Sequence, residues 1–177
     1  EFTERFIREA KSMAALDHPN IVPIYGIGTH QGFHYFVMKF VVGQTLEHVL
    51  KRQRLELEPS FEIAQIVDIV CDTFKALDHA HRRGILHRDI KPGNIMLNAN
   101  DSPILMDFGI VKRLEDSHTT QTGVIFGTPQ YMSPEQAMGK GQTPATDVYS
   151  VGVITFEMLT GRLPFIADSV YSMLLAH

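Results

Sequence analysis

The sequence predicts an α+β chain, and three observations carry that expectation. Apolar residues recur at helical steps near the start, two runs rich in β-branched and aromatic residues flank a glycine-containing turn, and a long amphipathic stripe follows. With 177 residues, 44% of them hydrophobic, the chain can bury one core of ordinary domain size.

Phe2, Phe6, Ala10, Met13 and Ala14 recur at three- and four-residue steps and predict a helix over 2–16. Asp17-His18-Pro19-Asn20 ends it, because proline lacks the donor and restricts its predecessor. Residues 21–27 and 33–40 read as strands of a hairpin turning at 28–32, with Gly43 closing the second strand. Thr45 to Arg52 reads as a short helix. Pro59 and Ser60 open a long one with the stripe Ile63, Ile66, Val67, Val70, Phe74, Leu77 and Ala80, and Gly84 stops it. Short strands are expected at 85–86, 95–97 and 104–106, then a Ser- and Thr-rich functional loop over 115–122. A helix over 144–159 ends at Gly161, and Val170, Met173 and Leu174 continue a helical pattern toward His177. No internal repeat or low-complexity segment interrupts this order.

Composition excludes some functions. The formal net charge is -4, so no basic excess is available to hold nucleic acid by its phosphates. No apolar run approaches the roughly 20 residues that span a bilayer, so no membrane contact is expected within this chain. One cysteine, Cys71, rules out an intramolecular disulfide and fits a reducing compartment; its place in an apolar helical stretch reads as a small buried hydrophobe. The start, Glu1-Phe2-Thr3, is neither an initiator methionine nor a signal peptide, and both ends read as cuts within a longer protein.

Bland readings cover most remaining features. His79 and His81 are two apart and cannot share a helix face, so they read as surface or packing histidines rather than metal ligands. Met13, Met38, Met96, Met106 and Met158 read as core and pocket fillers, and Lys51-Arg52-Gln53-Arg54 as a solvated face.

The chemistry lies in three motifs in series. His87-Arg88-Asp89 is followed after four residues by Asn94, then by Asp107-Phe108-Gly109, then by Gly127-Thr128-Pro129 running to Pro134-Glu135. Each triplet alone is weak, but the ordered set is specific. It resembles the catalytic loop (87–94) and activation segment (107–135) of protein kinases. HRDIKPGNIML (87–97), FGTPQYMSPEQA (126–137) and AKSMAALDHPN (10–20) are similar to the bacterial branch of the eukaryotic-like, Hanks-type serine/threonine kinases, over essentially the whole chain.

The resemblance implies a protein-kinase-like bilobal fold: a remnant of the smaller lobe over 1–40, a hinge over 41–43 and the larger lobe over 44–177. It implies ATP and Mg2+ or Mn2+ as cofactors, with Asp107 and Asn94 as hard oxygen ligands. Asp89 would receive the substrate hydroxyl's proton, Lys91 would stabilise the transferring phosphate, and Thr128 would hydrogen-bond both. Lys91 and Thr128 resemble the serine/threonine branch. By matched position, Met38 stands behind the adenine, the backbone of Lys39 and Val41 (with Phe40 between) borders its edge, and Met96 lies beneath it. Met13, Ile24, His87 and Phe108 match a stacked regulatory spine, Gly109 completes the metal-binding triplet, and Asp147 would tie its helix to the catalytic loop. Glu9 matches the glutamate that pairs with the ATP-anchoring lysine.

Arg88 implies control by phosphorylation, with Thr120 and Thr122 as acceptors and a kinase-domain homodimer as a route to autophosphorylation. Protein serine and threonine side chains are the implied substrates, and the kinase portion would be cytoplasmic with any membrane tether elsewhere. No glycine-rich loop or anchoring lysine precedes Glu1, and Gly26 and Gly28 lie after the first helix and cannot substitute. Glu9 and Glu135 therefore lack their family partners here, and these 177 residues alone are expected to transfer phosphate slowly or not at all. Two other readings are a pseudokinase scaffold, which the presence of Asp89, Lys91, Asn94 and Asp107 opposes, and a small-molecule kinase, which Gly127-Thr128-Pro129 opposes.

Overall fold

A computed structural model of the chain describes residue 7 and residues 10–56, 61–108 and 128–177. Readings placed on Glu9, Pro59, Ser60, Gly109, Thr120 and Thr122 lie outside the described residues. Residues 10–14 are helical, as the apolar spacing predicts, with Ala10, Met13 and Leu16 turned into the core.

Strands β1 (Ile24–His30) and β2 (Phe33–Met38) form an antiparallel hairpin, with Ile24 opposite Met38 and His30 opposite Phe33. The turn is tighter than the sequence predicts. It is made by Gln31 and Gly32, both at positive φ (49° and 82°), which suits the twist of a two-residue hairpin. β1 also begins later than expected. Residues 20–22 are drawn instead to the end of a different strand: Leu105 N–H donates to the Asn20 carbonyl at 2.8 Å, and Val22 N–H to the Leu105 carbonyl at 3.0 Å.

Strands β3 (Gly43–Thr45), β4 (Ile95–Asn98) and β5 (Pro103–Leu105) make an antiparallel sheet in the order β3-β4-β5. Gly43 thus opens a third strand rather than closing the second. A side chain there would collide with the Leu97 carbonyl across the ladder. Residues 85–86 form no strand, because Ile85 N–H turns back to the Ala80 carbonyl at 3.0 Å and closes the helix before it.

Helix α1 is Leu46–Glu56 and α2 is Ile63–His81. The Glu62 N–H, an orphan donor at the start of α2, is taken by Gln65 Oε1 at 2.9 Å. The buried face of α2 comprises Ile66, Ile69, Thr73, Ala76, Leu77 and Ala80. Ile63 (72% exposed) and Val67 (52%) lie off the buried face, so the stripe read from apolarity alone is rotated. Small Thr73 and Ala76 line the buried face, and Cys71 is exposed, not buried as predicted.

Downstream lie α3 (Pro134–Ala137), α4 (Pro144–Thr160) and α5 (Val170–Ala176). Gly161 ends α4 in the left-handed region (φ 71°), its N–H bonded to the Glu157 carbonyl at 2.8 Å. Leu46, Leu50, Leu77, Ile95, Leu97, Leu105 and Ile154 are fully buried, so α1, α2, β4, β5 and α4 share one core. Each such side chain is worth about 1.5–3 kcal/mol relative to exposure. Among the described residues no helix is long and apolar enough to cross a membrane.

Gly43→Ala is expected to cost about 1–3 kcal/mol, because backbone must give way. Gly152→Ala, on the exposed side of α4 with open space around it, is expected to gain about 0.5–1 kcal/mol. Urea midpoints of the two variants check both signs.

Candidate functional site

The loop over residues 87–94 leaves α2, passes over the start of α4 and enters β4. Its shape depends on Asp147 in the first turn of α4. Asp147 Oδ2 accepts the His87 N–H at 2.9 Å and Oδ1 accepts the Arg88 N–H at 2.8 Å. His81 Nε2 lies 2.7 Å from Oδ2. Burial opposes ionisation of Asp147, but these donors outweigh it and hold the carboxyl below its ordinary value. His81, read from sequence as a surface or packing histidine, is instead a nearly buried partner of this carboxylate.

Arg88 is left-handed (φ 67°), a conformation L-residues adopt at a cost of order 1–3 kcal/mol. Its backbone is held on both sides, the 87–88 peptide by Asp147 at the N–H and the 88–89 peptide by Gln136 Nε2, which donates to the Arg88 carbonyl at 2.9 Å.

His87 is fully buried, as predicted. Its Nε2 is 2.9 Å from the Met106 carbonyl, which can only accept, so Nε2 carries the proton and Nδ1 receives the Asp89 N–H at 3.4 Å. Burial pushes the imidazole below its ordinary value of 6.5, keeping it neutral. The ring stacks on Phe108, with centroids 4.5 Å apart.

Asp89 is drawn together with two of its predicted companions. Lys91 Nζ is 3.0 Å from Asp89 Oδ2, and Asn94 Nδ2 donates to the Asp89 carbonyl at 2.7 Å and to Oδ2 at 3.1 Å. Asn94 spends its NH2 group on Asp89, which turns its Oδ1 away as a hard oxygen donor. The Asn94 carbonyl accepts the Met106 N–H at 2.9 Å, which places Asp107 beside this group through the backbone. Asp107 is exposed and also left-handed, at φ 51°.

The predicted residues divide between two hollows. Asp89, Lys91 and Thr128 line one, together with Gln136. Met13, Ile24, Met38, Asp107 and Phe108 line the other, with Phe36 beside them. Ile24 and Met38 are cross-strand partners, so the hairpin register brings both to that wall. Lys39 donates its N–H to the Pro23 carbonyl at 2.9 Å, which leaves any ligand contact to its own carbonyl. Met96 is half-buried on the face of β4 opposite buried Ile95 and Leu97, and Val41 is half-buried between the hairpin and β3.

Segment 128–137 is fastened to the same helix that holds the loop. Tyr131 donates its hydroxyl to Glu157 Oε2 at 2.7 Å, and Ser150 Oγ donates to the Tyr131 carbonyl at 2.7 Å. Glu157 is buried, with Arg54 Nη2 3.2 Å from Oε1; burial pushes its carboxyl up, against the pull of Tyr131 and Arg54. Glu135 accepts the Thr146 hydroxyl at 2.6 Å, and that bond holds its carboxyl below the ordinary value. Sequence reading missed His81, Gln136, Thr146 and Glu157, whose partners lie far along the chain. Among the described residues no cluster of three or more His, Cys, Asp or Glu could hold a metal.

A family model described as protein kinase domain matches residues 1–175. The chain is 43% identical over 181 residues to the serine/threonine-protein kinase PknB of Mycobacterium leprae, covering 99% of this chain and 28% of that protein. It is 41% identical over 177 residues to PrkC of Bacillus subtilis, covering 100% and 26%, and 40% identical over 183 residues to PknA of Mycobacterium tuberculosis, covering 100% and 41%. The chain thus spans between about a quarter and two fifths of the length of these curated relatives.

Two outcomes follow from the geometry. The folded state holds His87 neutral, so stability present above pH 6.5 is lost as pH falls toward the depressed folded value and the unfolded chain alone takes the proton. Urea midpoints should drop between pH 7.5 and pH 5, and His87→Asn should flatten that part of the profile. Asp147→Ala, which strands buried donors of residues 87 and 88, should cost about 3–5 kcal/mol at neutral pH.

Proposed function

The chain belongs to the protein kinase family, and from that premise we propose that it carries the catalytic core of an ATP-dependent kinase acting on serine and threonine hydroxyls of proteins. The observation that carries this reading is the Asp89–Lys91–Asn94 cluster, joined to Asp107 through the Asn94–Met106 backbone bond.

Asp89 accepts a hydrogen bond from the substrate hydroxyl and takes its proton as the oxygen attacks the γ-phosphorus and the bond to ADP breaks. Lys91, beside Asp89, faces the oxygens of the transferring group and offsets their charge. Asp107 and Asn94 Oδ1 would hold Mg2+ or Mn2+, which neutralises charge on the phosphates. Thr128, in the same hollow as Asp89 and Lys91, borders the seryl or threonyl side chain. Met38, the Lys39 carbonyl, Val41 and Met96 border the adenine. Met13, Ile24, His87 and Phe108 act as a stack joining the hairpin wall to the loop, supported by the His87–Phe108 contact.

Regulation follows the same chemistry. Arg88 would pair with phosphate on Thr120 or Thr122, placed there by a second copy of the kinase. The requirement for ATP puts this portion in the cytoplasm. Nothing in the site favours a scaffold without transfer.

In the protein as the cell makes it, Asp89→Asn should lower kcat for a serine/threonine peptide by about 10²- to 10⁴-fold with little change in KM for ATP. Failure of the unaltered protein to transfer phosphate from ATP would overturn the reading. Phosphopeptide mapping of an active preparation should find phosphate on Thr120 or Thr122. The 177 residues alone, which contain no glycine-rich loop or anchoring lysine ahead of Glu9, should show little transfer.

A further inference from the structure

Gln136 makes a connection that the mechanism above does not use. It sits in α3, two residues after Pro134, and its side-chain amide spans three parts of the chain. Oε1 accepts the Ser133 N–H at 3.1 Å, and Nε2 donates to the Arg88 carbonyl at 2.9 Å and more distantly to Gln142 Oε1 at 3.4 Å. A backbone N–H can only donate and a backbone carbonyl can only accept, so one end of this side chain must be an acceptor and the other a donor. A primary amide of this reach meets both demands. A carboxylate would place an acceptor against the Arg88 carbonyl, and an apolar side chain would leave both groups unmet.

The Arg88 carbonyl belongs to the same peptide plane as the Asp89 N–H. Arg88 is left-handed (φ 67°), and its own N–H is already held by Asp147. Holding the carbonyl as well fixes the plane from which Asp89 departs. Without that bond the 88–89 peptide keeps only the longer 3.4 Å bond from the Asp89 N–H to His87 Nδ1, and it can swing about the Arg88 N–H that Asp147 holds, moving the Asp89 carboxylate with it. Displacement of a reacting group by about 1 Å can cost on the order of 10²-fold in rate.

We propose that Gln136 is a positioning residue for Asp89, coupling residues 133–137 to the 88–89 peptide of the catalytic loop. The proposal rests on the kinase reading above.

The test uses the protein as the cell makes it, with steady-state kinetics on ATP and a serine/threonine peptide. Gln136→Met, similar in volume but without the donor, should lower kcat by about 10- to 100-fold. KM for ATP and for peptide should stay within about threefold, since only the reacting group is misplaced. Gln142→Ala, which loses only the longest contact, should stay within about twofold. Adding Gln136→Met to Asp89→Asn should cost nothing further, because a residue that acts through the Asp89 carboxylate has nothing left to position. Losses that multiply in the double variant overturn the proposal. So does a Gln136→Met kcat within about twofold of the unaltered protein, or a raised peptide KM at constant kcat, which would mark a substrate contact. If Gln136→Met does not fold, Gln136→Glu carries the same comparisons, since it keeps an acceptor for Ser133. An unaltered protein with no transfer activity would sink the kinase reading instead, so the two failures are distinct.

Discussion

One buried carboxylate sets the geometry on which the site depends. Asp147 is 1% exposed, and an isolated charge in that position would be costly enough to protonate. It stays ionised because three donors converge on it, two of them consecutive backbone N–H groups of the loop. Its place in the first turn of a 17-residue helix adds the favourable end of the helix dipole. The arrangement works in both directions. The loop supplies the donors that make the burial tolerable, and the carboxylate supplies the partner that makes a left-handed Arg88 tolerable.

The same helix repeats the device. Thr146, Asp147, Ser150 and Glu157 are all buried in α4, and each bonds a segment distant in sequence. A helix whose buried face is polar at these positions gains less from apolar burial than its length allows. In exchange it fixes several loops in one frame. The 87–94 loop and Tyr131 have little regular secondary structure to hold them, and Glu135 lies in a helix of only four residues, so hydrogen bonds to a rigid element hold them. Arg88, a non-glycine residue at positive φ, is held by such an anchor, which suits strain kept where geometry matters.

Local chemistry explains what could be read from sequence. Residues 87–94 and 107–108 are legible because their types and spacing form a compact ordered motif, and the hairpin and α4 because their periodicity and capping glycines are local. The β1 boundary was misplaced because residues 20–22 pair with Leu105, a competition no local window contains. The α2 stripe was rotated because apolarity favours Ile63 and Val67, whereas the buried face carries small Thr73 and Ala76; the same rotation exposes Cys71. The carboxylate partner of His81, read only as a surface or packing histidine, and the role of Gln136 were not visible because their partners are 66 and 48 residues away, and one sequence carries no signal that pairs them.

These long-range bonds also decide what moves with what. The loop bearing Asp89 and the segment that would meet a substrate peptide, residues 128–135, are both bonded to α4 and are joined to each other through Gln136. The relative placement of the Asp89 loop and residues 128–135 is then a property of one bonded network, not of two loops meeting by chance. The Met38–Asp107 hollow is built differently, from apolar contacts among the first helix, the hairpin and Phe108, and the His87–Phe108 contact, the His87–Met106 bond and the Asn94–Met106 bond tie it to the loop. Apolar walls tolerate small shifts that directional hydrogen bonds do not. Such an arrangement lets the apolar hollow adjust while the Asp89 group stays fixed.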